Sequence, residues 1–231
     1  MPEPTAAFPW NYLNVHTHAP TGQADALEVK SLYFGQSPSP ETQFFSAGLH
    51  PWYISGKDLA AAEAWLHDLA RQPAMIAVGE AGLDKLCDAP WSDQLAAFDC
   101  CIRLAKALDK PLVIHCVRAY DEVVRLLRKH RFLPNGKVIF HGFNRHPQTA
   151  EGLRRAGCYL SFGADLFRPE NYAAAALRHT PDDRFFLETD DKQIRIEEIY
   201  ARAAAIRGVS EAALSETIRQ NARTVFESAV P

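Results

Sequence analysis

Short apolar runs alternate along this chain with stretches of helical periodicity. Eight runs read as strands: near Tyr12–His16, Val29–Phe34, Phe44–Leu49, Met75–Val78, Leu112–His115, Val138–His141, Cys158–Phe162 and Phe185–Glu188. The last five are nearly all apolar, as expected of parallel strands covered on both faces. Between them, apolar residues recur at helical spacing over roughly Leu59–Arg71, Ser92–Leu108, Tyr120–His130, Pro147–Ala156, Glu170–His179 and Ile194–Arg207. A final helix is expected from Ser210, as N-cap, to about Phe226, with Leu214, Ile218 and Val225 on one face. Repeated strand–helix alternation predicts an α/β fold with a parallel sheet, and eight strands predict a TIM-type (β/α) barrel. The first two connections are too short for full helices, and Pro38 and Pro40 mark a turn-rich loop. The barrel is therefore expected to be trimmed or distorted in its N-terminal β-α units. No repeat, low-complexity tract or linker divides the chain, so its 231 residues are read as one domain, 1–231.

The polar residues that end these runs change the picture. His16 and His18 are two apart, so on a strand both point the same way. Glu80, His115, His141 and Asp190 each stand at the end of an apolar run. In a barrel the C-terminal strand ends converge on one face, where active sites of this fold are built. Four imidazoles and two carboxylates are thus expected to meet. A single histidine at a strand end is more often a hydrogen-bonded structural residue; six groups at matching places on successive strands are harder to explain that way. The set suits two divalent ions: imidazole favours zinc, and carboxylate oxygens also accept manganese or magnesium. Two such ions can clamp the attacking and leaving oxygens of a hydrolysis.

Composition narrows the setting. The net charge of −3 gives no sign of tight nonspecific binding to nucleic acid or an anionic membrane. The five cysteines are odd in number and include no C-x-x-C pair, which fits reduced thiols in the cytoplasm. Met1–Pro9 lacks the basic and apolar regions of a secretory signal, and no apolar run is long enough to span a bilayer. No protein partner is indicated.

The segments Asn14-Val15-His16-Thr17-His18, Ala47-Gly48-Leu49-His50-Pro51-Trp52, Val78-Gly79-Glu80-Ala81-Gly82-Leu83-Asp84, Pro111 to Arg118, Ile139-Phe140-His141-Gly142-Phe143, Tyr159 to Gly163, Leu187-Glu188-Thr189-Asp190 and Asn221 to Phe226 occur in that order. In them the chain resembles the TatD family of metal-dependent hydrolases, in a short form. The glycine-glutamate and Glu-Thr-Asp segments together are specific, whereas the H-x-H start is shared by several metallohydrolases. The resemblance implies a TIM-type barrel and a binuclear centre. It implies that the counterparts of His16, His18, Glu80, His115, His141 and Asp190 are the ligands, with Glu80 bridging. It also implies phosphodiester hydrolysis, as by a deoxyribonuclease working from an end. Two departures stand out. Asn14 occupies a position that usually carries Asp. The stretches between His18 and Ala47 and after Asp190 are shorter than in longer members, so the family's substrate need not carry over.

Around the metals, Asp190 is the expected proton acceptor and acts in catalysis with Glu80. Arg118 is expected to hold a substrate phosphate, or else to form a structural ion pair. His50 is expected to reach substrate, or else to support the ligands. Asp84 reads as a supporting or turn residue, Cys116 as buried packing on the other face of its strand, and Glu188 as facing the same way as Asp190. His67, His130, His146 and His179 fall on helices or their ends, as surface or capping residues. Arg125, Arg128, Lys129 and Arg131 crowd one helix and read as a solvated face, with no interleaved aromatics and no extended basic track. The substrate expected is a nucleic-acid end or a small phosphodiester. The alternatives are a small cyclic amide or ester, a barrel that binds metal without catalysis, and a phosphoesterase of the polymerase-and-histidinol-phosphatase type, which the Glu80 and Glu-Thr-Asp segments fit less well.

Overall fold

The computed structural model describes residues 10–227, so the Met1–Pro9 segment lies outside the described residues. Eight parallel strands form one sheet in sequence order: β1 (Tyr12–Thr17), β2 (Ala26–Tyr33), β3 (Phe44–Gly48), β4 (Met75–Asp84), β5 (Leu112–Val117), β6 (Val138–Phe140), β7 (Tyr159–Phe162) and β8 (Phe185–Leu187). The sheet closes on itself through a parallel bridge between Thr17 and Asp190. The His18 amide donates to the Asp190 carbonyl at 3.0 Å, and the Asp190 amide to the His16 carbonyl at 3.1 Å. The barrel is thus sealed by the segment that carries three of the six polar residues singled out above.

Seven α-helices surround the strands: α1 (Leu59–Leu69), α2 (Trp91–Ala107), α3 (Tyr120–Lys129), α4 (Pro147–Arg155), α5 (Ala173–His179), α6 (Ile196–Arg207) and α7 (Glu211–Phe226). Asp58 caps α1, its Oδ1 accepting the Ala60 amide at 2.9 Å, and Ser210 caps α7 by accepting the Ala213 amide at 3.2 Å. The β1–β2 and β2–β3 connections hold no helix, so the N-terminal units are trimmed as their length requires. Helix α5 starts three residues later than its periodicity suggests. Strand β4 runs six residues beyond Val78, buried along its whole length.

The ladders are irregular at two of the six polar residues singled out above. From Asn14 to Thr17, β1 advances three residues while β2 advances from Glu28 to Lys30. From Val78 to Ala81, β4 advances three while β5 advances from Leu112 to Ile114. One extra residue in each strand is a bulge, which re-aims side chains. The two bulges contain His16 and Glu80. Glycine makes the second one feasible: Gly79 and Gly82 lie at φ 124° and 151°. A Cβ on Gly79 would overlap the Val113 carbonyl oxygen, and one on Gly82 the His115 carbonyl oxygen.

Candidate metal centre

Glu80 is 3% exposed, and its carboxylate stands at the centre of the strand-end face. Its Oε2 lies 3.4 Å from His16 Nε2 and 3.5 Å from His18 Nε2. Asp190 Oδ1 lies 3.5 Å from each of the same two nitrogens. The other oxygen of Glu80, Oε1, is 2.7 Å from His115 Nδ1 and 2.7 Å from His141 Nε2. The six groups therefore converge, and they sort into two clusters that share one carboxylate.

Two of the four imidazoles, His115 and His141, are aimed from behind. His115 turns its Nε2 toward Asp84 Oδ2 at 3.3 Å, and Trp52 Nε1 donates to that oxygen at 2.7 Å. His141 turns its Nδ1 toward Glu188 Oε1 at 3.4 Å, an oxygen that also accepts the Gly142 amide at 2.6 Å. A carboxylate behind a ligating imidazole fixes the ring and raises its basicity. Asp84 and Glu188 thus act through His115 and His141. The sequence hinted at both: Asp84 follows Glu80 at short spacing, and Glu188 stands two before Asp190.

His50 has a determined tautomer. Its Nδ1 accepts the Trp52 amide at 3.1 Å, so the ring proton sits on Nε2 and is donated to Glu80 Oε1 at 3.1 Å. Burial holds its pKa below the ordinary imidazole value, which keeps the ring neutral. The structure places it behind Glu80 rather than in the cleft lining.

Charges at the centre are strongly coupled. Burial disfavours charge on His16, but the carboxylates of Asp190 and Glu80 outweigh it and hold its pKa up to about 9. Burial likewise opposes charge on His141, and Glu80 and Glu188 carry it well above the usual imidazole range. Burial pushes Glu80 up, but His141, His50 and His115 bring it well below the usual carboxylate range. Asp190, also partly buried, is brought down to about 2 by His16 and His141.

A cleft of about 270 Å³ opens beside the centre, lined by His115, His141, Glu188 and Asp190 and by Asn144, Arg145, Arg168 and Lys192. The three cations were not singled out by the sequence, because they lie on loops with no periodic signal. Arg118 is exposed and lines a neighbouring depression between α3 and α4 instead. Cys116, expected as packing on the far face of its strand, is half-buried and borders the cleft. Burial pushes its thiol up to about 12, so it stays protonated. Of the helix histidines, His146 caps α4, with Nδ1 accepting the Gln148 amide at 3.3 Å, and His130 pairs with Asp99 at 2.7 Å.

Comparison with known proteins settles the family. The sequence model of TatD-related DNases matches residues 21–227. The chain belongs to that family. It is 29% identical over 150 residues to the uncharacterized metal-dependent hydrolase YabD of Bacillus subtilis, covering 64% of this chain and 58% of that protein. To YcfH of Escherichia coli K12, also described as an uncharacterized metal-dependent hydrolase, it is 27% identical over 197 residues, 79% of this chain and 73% of YcfH. A relative from Edwardsiella piscicida named 3'-5' ssDNA/RNA exonuclease TatD is 31% identical over 174 residues, 74% of this chain and 64% of the relative. The match thus spans under two thirds of YabD and of the Edwardsiella protein. The crystal structure of YjjV, a TatD homologue from Escherichia coli, superposes with a TM-score of 0.81 at 21% identity over 94% of this chain and 98% of that one, which shows a shared barrel. Among the described residues no helix is long and apolar enough to cross a membrane.

Proposed function

We propose that this TatD-family chain is a two-metal phosphodiesterase that hydrolyses the end of a nucleic acid or a small phosphodiester. The observation that carries the reading is the division of Glu80: one oxygen faces His16 and His18, with Asp190 Oδ1 opposite, and the other faces His115 and His141.

The donor set fits metal. His16 is fully buried, and its Nε2 has no hydrogen bond although it faces two carboxylates. Zinc bonds of about 2.0–2.1 Å set tetrahedral ligand-to-ligand edges of about 3.4 Å. The spacings of 3.4–3.5 Å among His16, His18, Glu80 and Asp190 are of that size and are long for hydrogen bonds. The shorter contacts of His115 and His141 on Glu80 Oε1 are hydrogen bonds that an ion would replace. His16, His18, Glu80 and Asp190 would hold one ion, and Glu80, His115 and His141 the other, as zinc, manganese or magnesium. Ions held there would supply Lewis-acid polarisation of the phosphate and a water of lowered pKa.

The chain's own groups supply the rest. Asp190 is ionised and its side chain is 31% exposed to the cleft, so its carboxylate is the group placed to take a proton from an attacking water. Arg145, Arg168 and Lys192 line the same cleft and offer N–H donors to phosphate oxygens. Glu188 and Asp84 keep His141 and His115 aimed while the charge on the substrate changes. A phosphate ester suits this wall better than a neutral amide, and the exonuclease name of the Edwardsiella relative points the same way. The free thiols fit a cytoplasmic setting.

The test is metal analysis of the purified protein, followed by a panel of short single-stranded oligonucleotides, a chromogenic phosphodiester, circular duplex DNA and a cyclic amide. Chelation should abolish turnover of the first two, and added manganese, zinc or magnesium should restore it. Turnover by the metal-free protein, or of the cyclic amide alone, overturns the proposal.

A further inference from the structure

Three arginines gather on one face of the molecule. Arg118, Arg125 and Arg128 are exposed, and Lys85 together with Arg125 holds the Glu122 carboxyl below its ordinary pKa. Elsewhere most guanidinium groups are held: Arg103 by Asp99 and Glu63, Arg154 and Arg155 by Glu151, Arg207 by Asp182. A solvated helix face accounts for exposure but not for this grouping. Arg125 and Arg128 are one turn apart on α3, and Arg118 precedes the helix by two residues at φ 54°, seven residues before Arg125. Residues three apart share a helical face, so Arg125 and Arg128 lie together, while Arg118 reaches the same depression from the loop before the helix.

All three line one depression of about 830 Å³ between α3 and α4. Lys85 is there too, paired with Glu122. Asp121 is the remaining acid, so four basic groups face two acidic ones in a chain whose net charge is −3. Tyr120 lines both this depression and the cleft beside the metal centre, so the two are adjacent. Arg145 lines the cleft side together with Tyr120. Cationic donors therefore continue from the cleft, over Tyr120, into the depression.

We propose that the depression between α3 and α4 is a phosphate-binding extension of the cleft that takes the backbone of a single-stranded oligonucleotide. This rests on the reading that the centre accepts a nucleic-acid end. Planar guanidinium forks match phosphate oxygens and tolerate any base sequence. The cleft volume of about 270 Å³ lies at the low end for small-ligand sites, which suits one unpaired nucleotide and not a duplex. The face that reads as solvated along the helix becomes a track once Arg118 and α4 are brought beside it.

The experiment is fluorescence anisotropy of labelled oligothymidylates, a dinucleotide and an octanucleotide, on chelator-treated protein. Binding is then read without hydrolysis. The octanucleotide should bind more tightly than the dinucleotide. For single strands each neutralised phosphate contributes a slope of about −0.7 in log K against log salt. Arg125→Gln with Arg128→Gln should therefore reduce the octanucleotide slope by about 1.4. It should weaken binding about 25-fold at 0.1 M salt, relative to a 1 M reference. Arg71→Gln with Arg103→Gln removes the same charge from another face and should leave binding within about twofold, since long-range charge is screened at about 10 Å in that salt. Equal losses in the two double variants, or no dependence on length, overturn the proposal. Neither result touches the hydrolysis test, which the wild-type protein decides on the chromogenic ester.

Discussion

Replacing Asn14 by alanine should unfasten the seam of the barrel. Asn14 is 1% exposed. Its Oδ1 accepts the Thr189 amide at 3.0 Å, which fixes the side-chain amide's orientation, so Nδ2 donates to Thr189 Oγ1 at 2.8 Å. The Thr189 hydroxyl is then free to donate to Thr17 Oγ1 at 3.1 Å, and Thr17 donates to the Asp190 carbonyl at 3.3 Å. The run ends on a residue held at φ 55°, a left-handed conformation that asparagine and aspartate reach at some cost. Asn14→Ala leaves the buried Thr189 amide without an acceptor, removes a second hydrogen bond and opens a small cavity. Together these cost about 3 kcal/mol. Chemical denaturation of the metal-free protein should show a lower midpoint with an unchanged slope. Asn14→Asp should fall between the two. Its carboxylate only accepts, so the Thr189 hydroxyl must turn round and give up its bond to Thr17, a loss of about 1 kcal/mol. A loss below about 1 kcal/mol in Asn14→Ala, or a larger loss in Asn14→Asp than in Asn14→Ala, refutes this account of the seam.

Because one oxygen of Glu80 serves each cluster, Glu80→Gln should lose both ions and Asp190→Asn one, read by metal analysis after dialysis; equal metal content in the two variants contradicts the division. Gly82→Ala should cost more than about 3 kcal/mol or prevent folding, since its Cβ would overlap the His115 carbonyl, whereas Gly56→Ala, at φ 64° with open space around it, should cost about 1 kcal/mol; similar melting temperatures for the two would show that β4 yields easily. In the metal-free protein the raised pKa of His16 contributes stability that is fully present below the ordinary value of about 6.5 and is lost as pH rises through about 9. Metal needs the neutral ring, so loading strengthens over the same window, and the melting-temperature gap between loaded and chelated protein should widen from pH 6.5 to 9; a constant gap speaks against it.

Much of this protein is decided along the chain. Short apolar runs and the 3.6-residue period between them locate the strands and α-helices to within a few residues, except that β4 runs six residues further, because the local pattern of apolar residues determines which faces are buried. The polar residues that end those apolar runs mark the face on which the six candidate ligands converge, since a parallel barrel gathers all its strand ends on one side. Tertiary structure decides what depends on closure and register. The bulges at His16 and Glu80 arise from pairing with neighbouring strands, and they set which oxygen of Glu80 meets which imidazole. Asn14 meets Thr189 across 175 residues of sequence. The place of His50 behind Glu80, and of Arg118 outside the cleft but beside Arg125 and Arg128, follows from where loops leave the barrel. Loop directions carry no periodic signal; they are set by packing against elements far away in the chain.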